Sequence, residues 1–204
     1  DGTYEYLIPL RQNWSAQVEL IRLEVNSGKG EAVRRGMLHA LSGDAAFIGY
    51  WDADLATPLE AVVPMLEEFE HRSQCRILTG CRLLRLGADI RRSTLRHLIG
   101  RVFATAASLH LGLPVYDTQC GAKLFRREVV EELFSEPFVT RWIFDVEIFD
   151  RFRRIYGWEE ARWNIVEFPL PQWRDVSGSS LKLTSAPGIL LAFLRLRRHY
   201  RKKR

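Results

Sequence analysis

Apolar runs alternate with amphipathic stretches through most of the chain. The runs VELIRLE (18–24), AFIGYW (46–51) and RILTG (76–80) predict strands. AFIGYW is a continuous apolar run, as expected of a strand buried on both faces of a parallel sheet. Between these runs, EAVRRGMLHAL predicts a helix that begins just after Gly30, and residues 58–71 predict a second helix. The alternation predicts an α/β fold with a mostly parallel sheet flanked by helices and right-handed crossovers.

The start of the second helix carries a capping signal. Thr57 is predicted at the N-cap, Pro58 at the first helical position and Glu60 at the third. A threonine followed three residues later by a glutamate can form a capping box, and proline is favoured at the first helical position.

The second half of the sequence is less regular. Residues 91–112 predict a long helix, followed by a short strand at 122–126, a helix at 145–156 and a strand at 163–168. The segment PQWRDVSGSS (171–180) is turn-rich and is predicted to be mobile, and a final helix is predicted from about Ser185. Two sides of the long helix differ: the apolar side has Leu95, Leu98, Ile99, Val102, Phe103 and Ala106, and the other side has Arg92, Arg96, His97 and Arg101.

Positive charge is concentrated at the C-terminal end. The net charge is +5, but the last ten residues hold seven Arg or Lys and no acid, so the remainder of the chain is slightly acidic. This argues against a nucleic-acid-binding domain, which would have a basic face within the fold. A basic tail after GILLAFL instead favours contact with an anionic membrane surface. No apolar run reaches the roughly 18 residues of a membrane span. The three cysteines form no CxxC pair, which favours reduced thiols and a cytosolic setting.

Asp52 and Asp54 are the leading candidates for chemistry. They follow a predicted buried strand directly, and open α/β sheets bind ligands at the carboxyl ends of their strands. Two neighbouring carboxylates repel each other unless a cation lies between them, and Mg²⁺ typically shares such oxygen ligands with substrate phosphates. The alternative is that both aspartates only decorate a turn before a capped helix.

Three further segments supply polar groups. Lys29 lies between Gly28 and Gly30 at a predicted helix start, which suits a phosphate, although a turn with a surface lysine is an equal alternative. The segment DTQCGAKLFRRE has the composition of a loop lining a pocket, with Cys120 interpreted as a small buried side chain. Finally, acids begin a helix in RWIFDVE, where the helix dipole favours them in any protein. An arginine series could bind an anionic acceptor, although at least half of these side chains are expected to be solvated: Arg82, Arg91, Arg92, Arg96 and Arg101.

Taken together, these motifs resemble the family 2 inverting glycosyltransferases with a GT-A fold. The resemblance is strongest to the branch of dolichyl-phosphate β-glucosyltransferases and polyprenyl-phosphate hexosyltransferases. It rests on NSGKGEAVRRGM, DADLATP, LTGCR, DTQCGAKLF and RWIFDVE, which occur in this order over roughly residues 26–147, with SGSSLKL as a continuation. DTQCG and RWIFDVE favour the glucosyl branch.

The resemblance implies a nucleotide-sugar donor, UDP-glucose, and Mg²⁺ or Mn²⁺ at Asp52 and Asp54. It makes Asp54 the main metal ligand and places Asp52 on the donor ribose or the metal. A polyprenyl-phosphate lipid is the implied acceptor, and the protein is expected at the cytoplasmic face of a membrane. On the donor side the resemblance implies Asp1, Lys29 and Lys182, and at the acceptor phosphate it implies Arg82, Arg91 and Arg96. On the sugar and acceptor side it implies Gln119, Asp145 and Glu147. The catalytic residues that it implies are Asp54, Gln119, Asp145 and Arg82.

The same resemblance divides the chain and leaves two alternatives. Residues 1–184 are expected to form the GT-A domain and residues 185–204 a basic, membrane-associating helix and tail. Asp1-Gly2-Thr3 matches the end of the family's Asp-Asp-Gly-Ser motif, so the first βα unit is expected to be absent. One alternative is a family 2 enzyme with a polysaccharide or other soluble acceptor. The other is an inactive fragment that acts only in binding.

Overall fold

The computed structural model describes residues 2–175 and 186–202, except for the side chains of residues 96, 186, 187, 189, 190 and 202. The helices are α1 (Thr3–Asn13), α2 (Lys29–Ala40), α3 (Val62–His71), α4 (Thr94–Leu111), α5 (Arg127–Phe134), α6 (Phe144–Tyr156), α7 (Trp158–Asn164) and α8 (Ala186–Lys202). The strands are β1 (Phe47–Trp51), β2 (Ile77–Cys81), β3 (Asp89–Arg91), β4 (Ala122–Arg126), β5 (Ile165–Pro169) and β6 (Gln172–Arg174).

Four strands form the central sheet in the order β1-β4-β2-β5. Strand β4 runs antiparallel to both of its neighbours, while β2 and β5 are parallel. The α/β class is therefore confirmed, and the sheet is mixed. The prediction that residues 46–51 form a strand is confirmed, but their placement in a parallel ladder was wrong. In the described chain β1 pairs only with the antiparallel β4, and most of its side chains are partly exposed.

The prediction of a strand at 18–24 was also wrong. These residues adopt no regular secondary structure, and no strand of the described chain pairs with them. Alternating side chains favour an extended backbone, but a strand also requires a neighbour to accept its hydrogen bonds. The preceding helix α1 has no buried residue and so contributes little to the core.

The capping box before α3 does not form. A short 3₁₀ helix (Leu59–Ala61) comes first, Pro58 is its N-cap, and α3 begins only at Val62. Thr57 makes no side-chain cap; its hydroxyl is buried 3.9 Å from the Cys120 Sγ. Burial of Thr57 beside the sheet thus replaces its predicted role at the helix start.

Three other boundaries differ from the sequence predictions. The long helix predicted over 91–112 begins at Thr94, because Arg91 pairs as part of β3. Residues 163 and 164 end helix α7, so the strand that was predicted over 163–168 begins at Ile165. Within the segment predicted to be turn-rich, Gln172–Arg174 forms β6, which pairs in parallel with β3. The rest of that prediction, for residues 176–180, lies outside the described chain.

Most of the core lies between one face of the sheet and helices α2, α4, α5, α6 and α8. Phe125 of β4 contacts Phe134 of α5 edge-on, and Phe149 and Phe152 of α6 are fully buried. Helix α8 joins this core through Phe193, Leu196 and Tyr200, whose burial contributes roughly 1.5–3 kcal/mol per large side chain. A smaller cluster, which includes Met65 and Phe69 of α3, covers the opposite face of the sheet.

Helix α4 buries only part of its apolar surface. Ala104, Ala107 and Leu111 are buried, whereas Leu95, Leu98 and Val102 are 58–66% exposed. The predicted apolar side of this helix is therefore largely turned to solvent.

Candidate functional site

A cavity of about 640 Å³ opens at the edge of the sheet where β1 and β2 end and β4 begins. Because β4 is antiparallel, its first residues lie beside the last residues of β1, and Trp51 pairs with Ala122. The chain segments that follow β1 and β2 and precede β4 therefore meet here. Of the predicted site residues, those that line the cavity are Lys29, Asp52, Asp54, Arg82, Gln119 and Asp145.

Asp52 is fixed by the backbone and by a glycine. Its N–H donates to the Gly121 carbonyl at 2.8 Å, and its Oδ1 lies 2.5 Å from the Lys29 Nζ. A Cβ at position 121 would lie 2.0 Å from the Asp52 carboxylate, far closer than atoms can approach. Glycine is thus required beside Asp52 if its carboxylate is to keep this position.

Asp54 stabilises the turn that carries it. Its Oδ1 accepts a hydrogen bond from the Ala56 N–H at 3.0 Å. The intervening Leu55 has a φ of 54°, in the left-handed region that non-glycine residues rarely adopt. Asp54 therefore fulfils the turn role proposed as the alternative and also lines the cavity.

The start of α2 faces the cavity. Gly28, with a φ of 87°, is the N-cap, and its N–H donates to the Asn26 Oδ1 at 3.1 Å. Arg141 packs against Gly28 and donates to the Asn26 and Ser27 carbonyls at 2.8 and 3.3 Å. The first helical residue is Lys29, which places a cation and the positive end of the helix dipole beside Asp52.

Arg82 and Asp117 form a bidentate ion pair in the cavity wall. The Arg82 Nε and one terminal nitrogen donate to the two Asp117 oxygens at 2.6 and 2.7 Å. Burial alone would raise the pKa of Asp117, but the Arg82 guanidinium outweighs this and lowers the pKa to about 2. The Arg82 fork is therefore already occupied by a carboxylate.

Glu167 fixes the loop that carries Asp117. Its carboxylate accepts the Tyr116 and Asp117 N–H groups at 2.6–3.0 Å, and burial raises its pKa. No local feature of the sequence marks Glu167 as a site residue, because a glutamate in a strand run gives no sign of what it will contact.

Arg92 lies in the cavity without a carboxylate partner in the described chain. Burial lowers its pKa, the nearby Arg82 lowers it further, and its Nε is buried without a hydrogen bond. Arg101 also lines the cavity, where it stacks on the Tyr116 ring at 3.8 Å. Arg82, Arg92 and Arg101 are partly buried, and a cluster of such arginines with one paired acid is an arrangement that an anion would stabilise.

The structure does not bring Arg91 to the cavity. It lies on β3, is 69% exposed and pairs with Asp89 at 2.8 Å. Successive side chains of an extended segment point to opposite sides, so Arg92 faces the cavity whereas Arg91 faces solvent. The side chain of Arg96 and all of Asp1 and Lys182 lie outside the described chain.

Asp145 and Lys123 form a buried ion pair at the base of the cavity. The fully buried Lys123 Nζ donates to the Asp145 Oδ1 and to the Cys120 carbonyl, both at 2.6 Å. The Tyr50 hydroxyl donates to the same Asp145 oxygen at 2.5 Å, and burial followed by the Asp145 charge raises the pKa of Tyr50.

The prediction that Glu147 lines the sugar and acceptor side was wrong. Its carboxylate is completely buried away from the cavity, accepts the Val139 N–H and pairs with Arg151 at 2.9 Å. Two residues further along a helix the side chain points about 200° away, so Asp145 and Glu147 cannot both face the cavity.

Two further polar groups in the cavity wall have no partner among the described residues. They are the Gln119 Nε2 and the Thr118 Oγ1, both buried. An unpaired buried donor is costly, so these atoms mark positions where a polar ligand would be stabilised.

The side chains of this cavity could bind a divalent metal only if a bound phosphate compound and water supplied the remaining metal ligands. In the described part of the chain no group of three or more His, Cys, Asp or Glu side chains could hold an ion. Asp52 and Asp54 could supply two carboxylates, which suits Mg²⁺ or Mn²⁺ when the other ligands are water and phosphate oxygens.

The family model for glycosyl transferase family 2 matches residues 1–134 of the chain. Among curated relatives, the dolichyl-phosphate beta-glucosyltransferase of Saccharomyces cerevisiae is 30% identical over 196 residues, which is 90% of this chain and 56% of that protein. Those of Drosophila melanogaster and Homo sapiens are each 32% identical, over 84% and 82% of this chain and about half of their own lengths. The chain thus spans about half the length of the curated relatives that it matches.

Among solved structures, glucosyl-3-phosphoglycerate synthase from Mycobacterium tuberculosis has a similar fold. Its complex with phosphoglyceric acid superposes with a TM-score of 0.57 at 20% identity, covering 96% of this chain and 64% of that one. A complex with Mn²⁺ and UDP-glucose gives a TM-score of 0.54 and covers 95% and 63%. At this level of identity the likeness establishes the fold, which is the GT-A arrangement predicted from the motifs.

Proposed function

This chain belongs to glycosyl transferase family 2, and we propose that it transfers glucose from UDP-glucose to a dolichyl or other polyprenyl phosphate with inversion. The relatives named dolichyl-phosphate beta-glucosyltransferase support the acceptor and the sugar, since they match over most of this chain. The solved complexes of the structural neighbour with UDP-glucose and Mn²⁺ support the donor and the metal.

One observation carries the acceptor assignment. Arg92 and Arg101 converge with Arg82 in a cavity that also contains Asp52 and Asp54, and Asp117 is the only carboxylate that pairs with these arginines in the described chain. A phosphate monoester would supply the missing negative charge through charge-assisted hydrogen bonds. We therefore assign the acceptor phosphate to Arg92 and Arg101, with Arg82 adding positive potential behind them.

The reaction depends mainly on how the acceptor phosphate is positioned relative to the sugar. The second pKa of a phosphate monoester is near 6, so most of the acceptor is already dianionic at pH 7 and needs no strong base. Arg92 and Arg101 would orient it, and Gln119 and Asp145 would line the sugar side. Asp52 and Asp54 would hold Mg²⁺ or Mn²⁺, which when bound neutralises charge on the departing diphosphate. Lys29, at the start of α2, would add a cation on the donor side, as we also propose for Asp1 and Lys182.

The direct test is a transfer assay with the natural full-length protein. Radiolabelled UDP-glucose, dolichyl phosphate in detergent and Mg²⁺ are expected to give label in the lipid phase, and GDP-mannose much less. Replacing dolichyl phosphate by phosphoglyceric acid, the ligand of the structural neighbour, tests the soluble-acceptor alternative. Label in the aqueous product alone, or in no product with any UDP- or GDP-hexose, would contradict the proposal.

Arg92 and Arg91 provide a matched pair for testing the acceptor site. Arg92→Gln is expected to raise the KM for dolichyl phosphate by about tenfold, because it removes one charge-assisted contact to phosphate. UDP binding should stay within twofold of wild type. Arg91→Gln removes the same charge one residue away, outside the cavity, and should leave both quantities unchanged. Equal effects of the two variants would refute the assignment.

We further propose that the protein acts as a peripheral protein at the cytoplasmic face of a membrane. No helix of the described chain is long and apolar enough to cross a membrane. Support comes from two neighbouring helices, since Phe103 of α4 packs on Phe193 of α8. Leu98 and Val102 are exposed on α4, and Leu191 is exposed on α8. The arginines Arg195, Arg197, Arg198 and Arg201 of α8 are also exposed.

The exposed apolar face of α4 can be tested against a matched control. The double variant Leu98→Gln/Val102→Gln is expected to lower binding to phosphatidylcholine–phosphatidylserine vesicles by about tenfold, since two partly inserted apolar side chains are lost. Leu59→Gln/Val63→Gln changes two similarly exposed positions, also four residues apart, beside the opposite face of the sheet. Co-sedimentation should be unaffected in the control. A similar loss in both variants would count against a specific docking face.

A further inference from the structure

A second cavity, of about 1070 Å³, lies between the end of α4, the second half of α6 and α8. It shares no lining residue with the cavity at the sheet edge. Its wall contains His110, five arginines and two glutamates: Arg151, Arg153, Arg154, Arg197, Arg201, Glu132 and Glu136. Neither the proposed function nor the comparisons assign a role to it.

Three of these arginines make hydrogen bonds and ion pairs within the protein. Arg151 is buried and bonded to Glu147, to the Tyr200 hydroxyl and to three carbonyl oxygens. Arg153 and Arg154 both donate to the fully buried Asp150, at 2.7 and 2.8 Å. These contacts hold the wall in place.

One positive charge remains in excess, because the five arginines stand against four carboxylates: Glu132 and Glu136 in the wall, and the ion-pair partners Glu147 and Asp150. Within the described chain neither Arg197 nor Arg201 makes an ion pair, although both line the cavity from successive turns of α8.

Two buried nitrogen atoms of the wall lack a hydrogen bond in the described structure. They are the Arg153 Nε and the His110 Nε2, and the second lies 3.9 Å from an Asp150 oxygen. Burial lowers the pKa of His110, and Arg153, Arg154 and Arg197 lower it further against the opposing effect of Asp150. The site therefore combines the positive charge of the arginines with one unsatisfied N–H group, that of the Arg153 Nε, beside the ring of His110.

We propose that this second cavity is a binding site for a phosphate group, separate from the catalytic cavity. Arg197 and Arg201, which make no ion pair in the described chain, would contribute two guanidinium groups, and Arg153 would contribute its Nε–H. Planar guanidinium groups suit phosphate oxygens because they can donate in pairs. The phosphate could belong to a lipid headgroup or be free in solution, since both present the same oxygens.

The test uses NMR signals that belong to this cavity alone. Inorganic phosphate is titrated into the protein while the Arg153 Nε–H and the His110 ring are observed, and both should shift with saturation. Arg197→Gln/Arg201→Gln is expected to weaken this binding at least tenfold, or roughly what the loss of two charge-assisted contacts implies. Both side chains are exposed, so the urea midpoint should not change.

Arg195→Gln/Arg198→Gln is the matched control, because it removes the same charge from exposed positions of α8 outside the cavity. Binding in this variant should stay within twofold of wild type. Equal weakening in both double variants, or no saturable shift in wild type, would overturn the proposal. A second titration with soluble short-chain phosphatidylserine identifies the source: tighter binding than inorganic phosphate supports a headgroup site, and weaker binding supports a site for free phosphate.

Discussion

Asp54→Asn is expected to abolish metal-dependent binding of UDP while leaving the fold intact. Asparagine keeps an oxygen in the position that accepts the Ala56 N–H at 3.0 Å, so the turn should survive. What it loses is the negative charge, and a neutral amide is a much weaker ligand for Mg²⁺ or Mn²⁺ than a carboxylate. Substituting a residue that only hydrogen-bonds to a metal ligand typically lowers metal affinity by about 10–100-fold. Because Asp54 is proposed as a direct ligand, we expect its substitution to lower the affinity for the metal by at least about 100-fold.

Calorimetry with UDP, with and without Mn²⁺, measures this effect. Wild type and Asp54→Asn should bind UDP equally weakly when the metal is removed by a chelator, and only wild type should gain affinity when it is added. Asp44→Asn, an exposed position before β1 and outside the cavity, serves as the control for lost charge. If Asp54→Asn kept its metal-dependent gain, Asp54 would be left with its turn role alone.

Lys123→Met is expected to lower the free energy of unfolding by about 3–5 kcal/mol. The change leaves the buried Asp145 carboxylate without the ammonium group that lies 2.6 Å away, and an uncompensated buried charge is strongly destabilising. The Cys120 carbonyl loses its hydrogen bond as well. Few single substitutions in this chain should cost as much.

Urea unfolding gives the measurement, and Lys29 provides the control. Lys29 also pairs with an aspartate, at 2.5 Å, but its side chain is 47% exposed, so Lys29→Met should cost less than about 1 kcal/mol. The double variant Lys123→Met/Asp145→Asn should recover part of the lost stability, because no buried charge is then left unpaired. Equal costs for Lys123→Met and Lys29→Met would show that the buried pair does not behave as a desolvated ion pair.

This pairing also defines what Asp145 can do. The oxygen that accepts from Lys123 and Tyr50 is engaged within the protein, so Asp145 fixes the base of the cavity as well as lining it. A role in contacting the sugar can therefore be separated from a structural role only in variants whose stability has been measured.

Local sequence patterns predicted several positions well. Asp52 and Asp54 follow an apolar strand run, and Lys29 follows a glycine at a helix start; both patterns depend on neighbours within a few residues, and all three side chains reach the same cavity. The helices α2, α4 and α6 were predicted for the same reason, since the spacing of apolar positions along a helix is a local property.

Contacts across the fold could not be predicted in this way. Nothing in the sequence distinguishes Arg91 from Arg92, yet one pairs with Asp89 on the surface and the other lies in the cavity. Likewise Asp145 and Glu147 occur in the same motif, but the direction of α6 in the fold sends only the first to the cavity. The strand prediction at 18–24 failed because pairing requires a partner strand, which is a property of the whole sheet.

By itself, then, the sequence determined the α/β class, the glycosyl transferase family and the aspartate pair at the end of β1. The tertiary structure decided that β4 runs antiparallel, which brings Gly121 against Asp52 and closes the cavity with the loop before β4. It also decided which arginines are paired, exposed or left without a counter-charge. The physical reason is that propensity and periodicity act over a few residues, whereas burial and ion pairing depend on groups that are distant in the chain and close only in the folded protein.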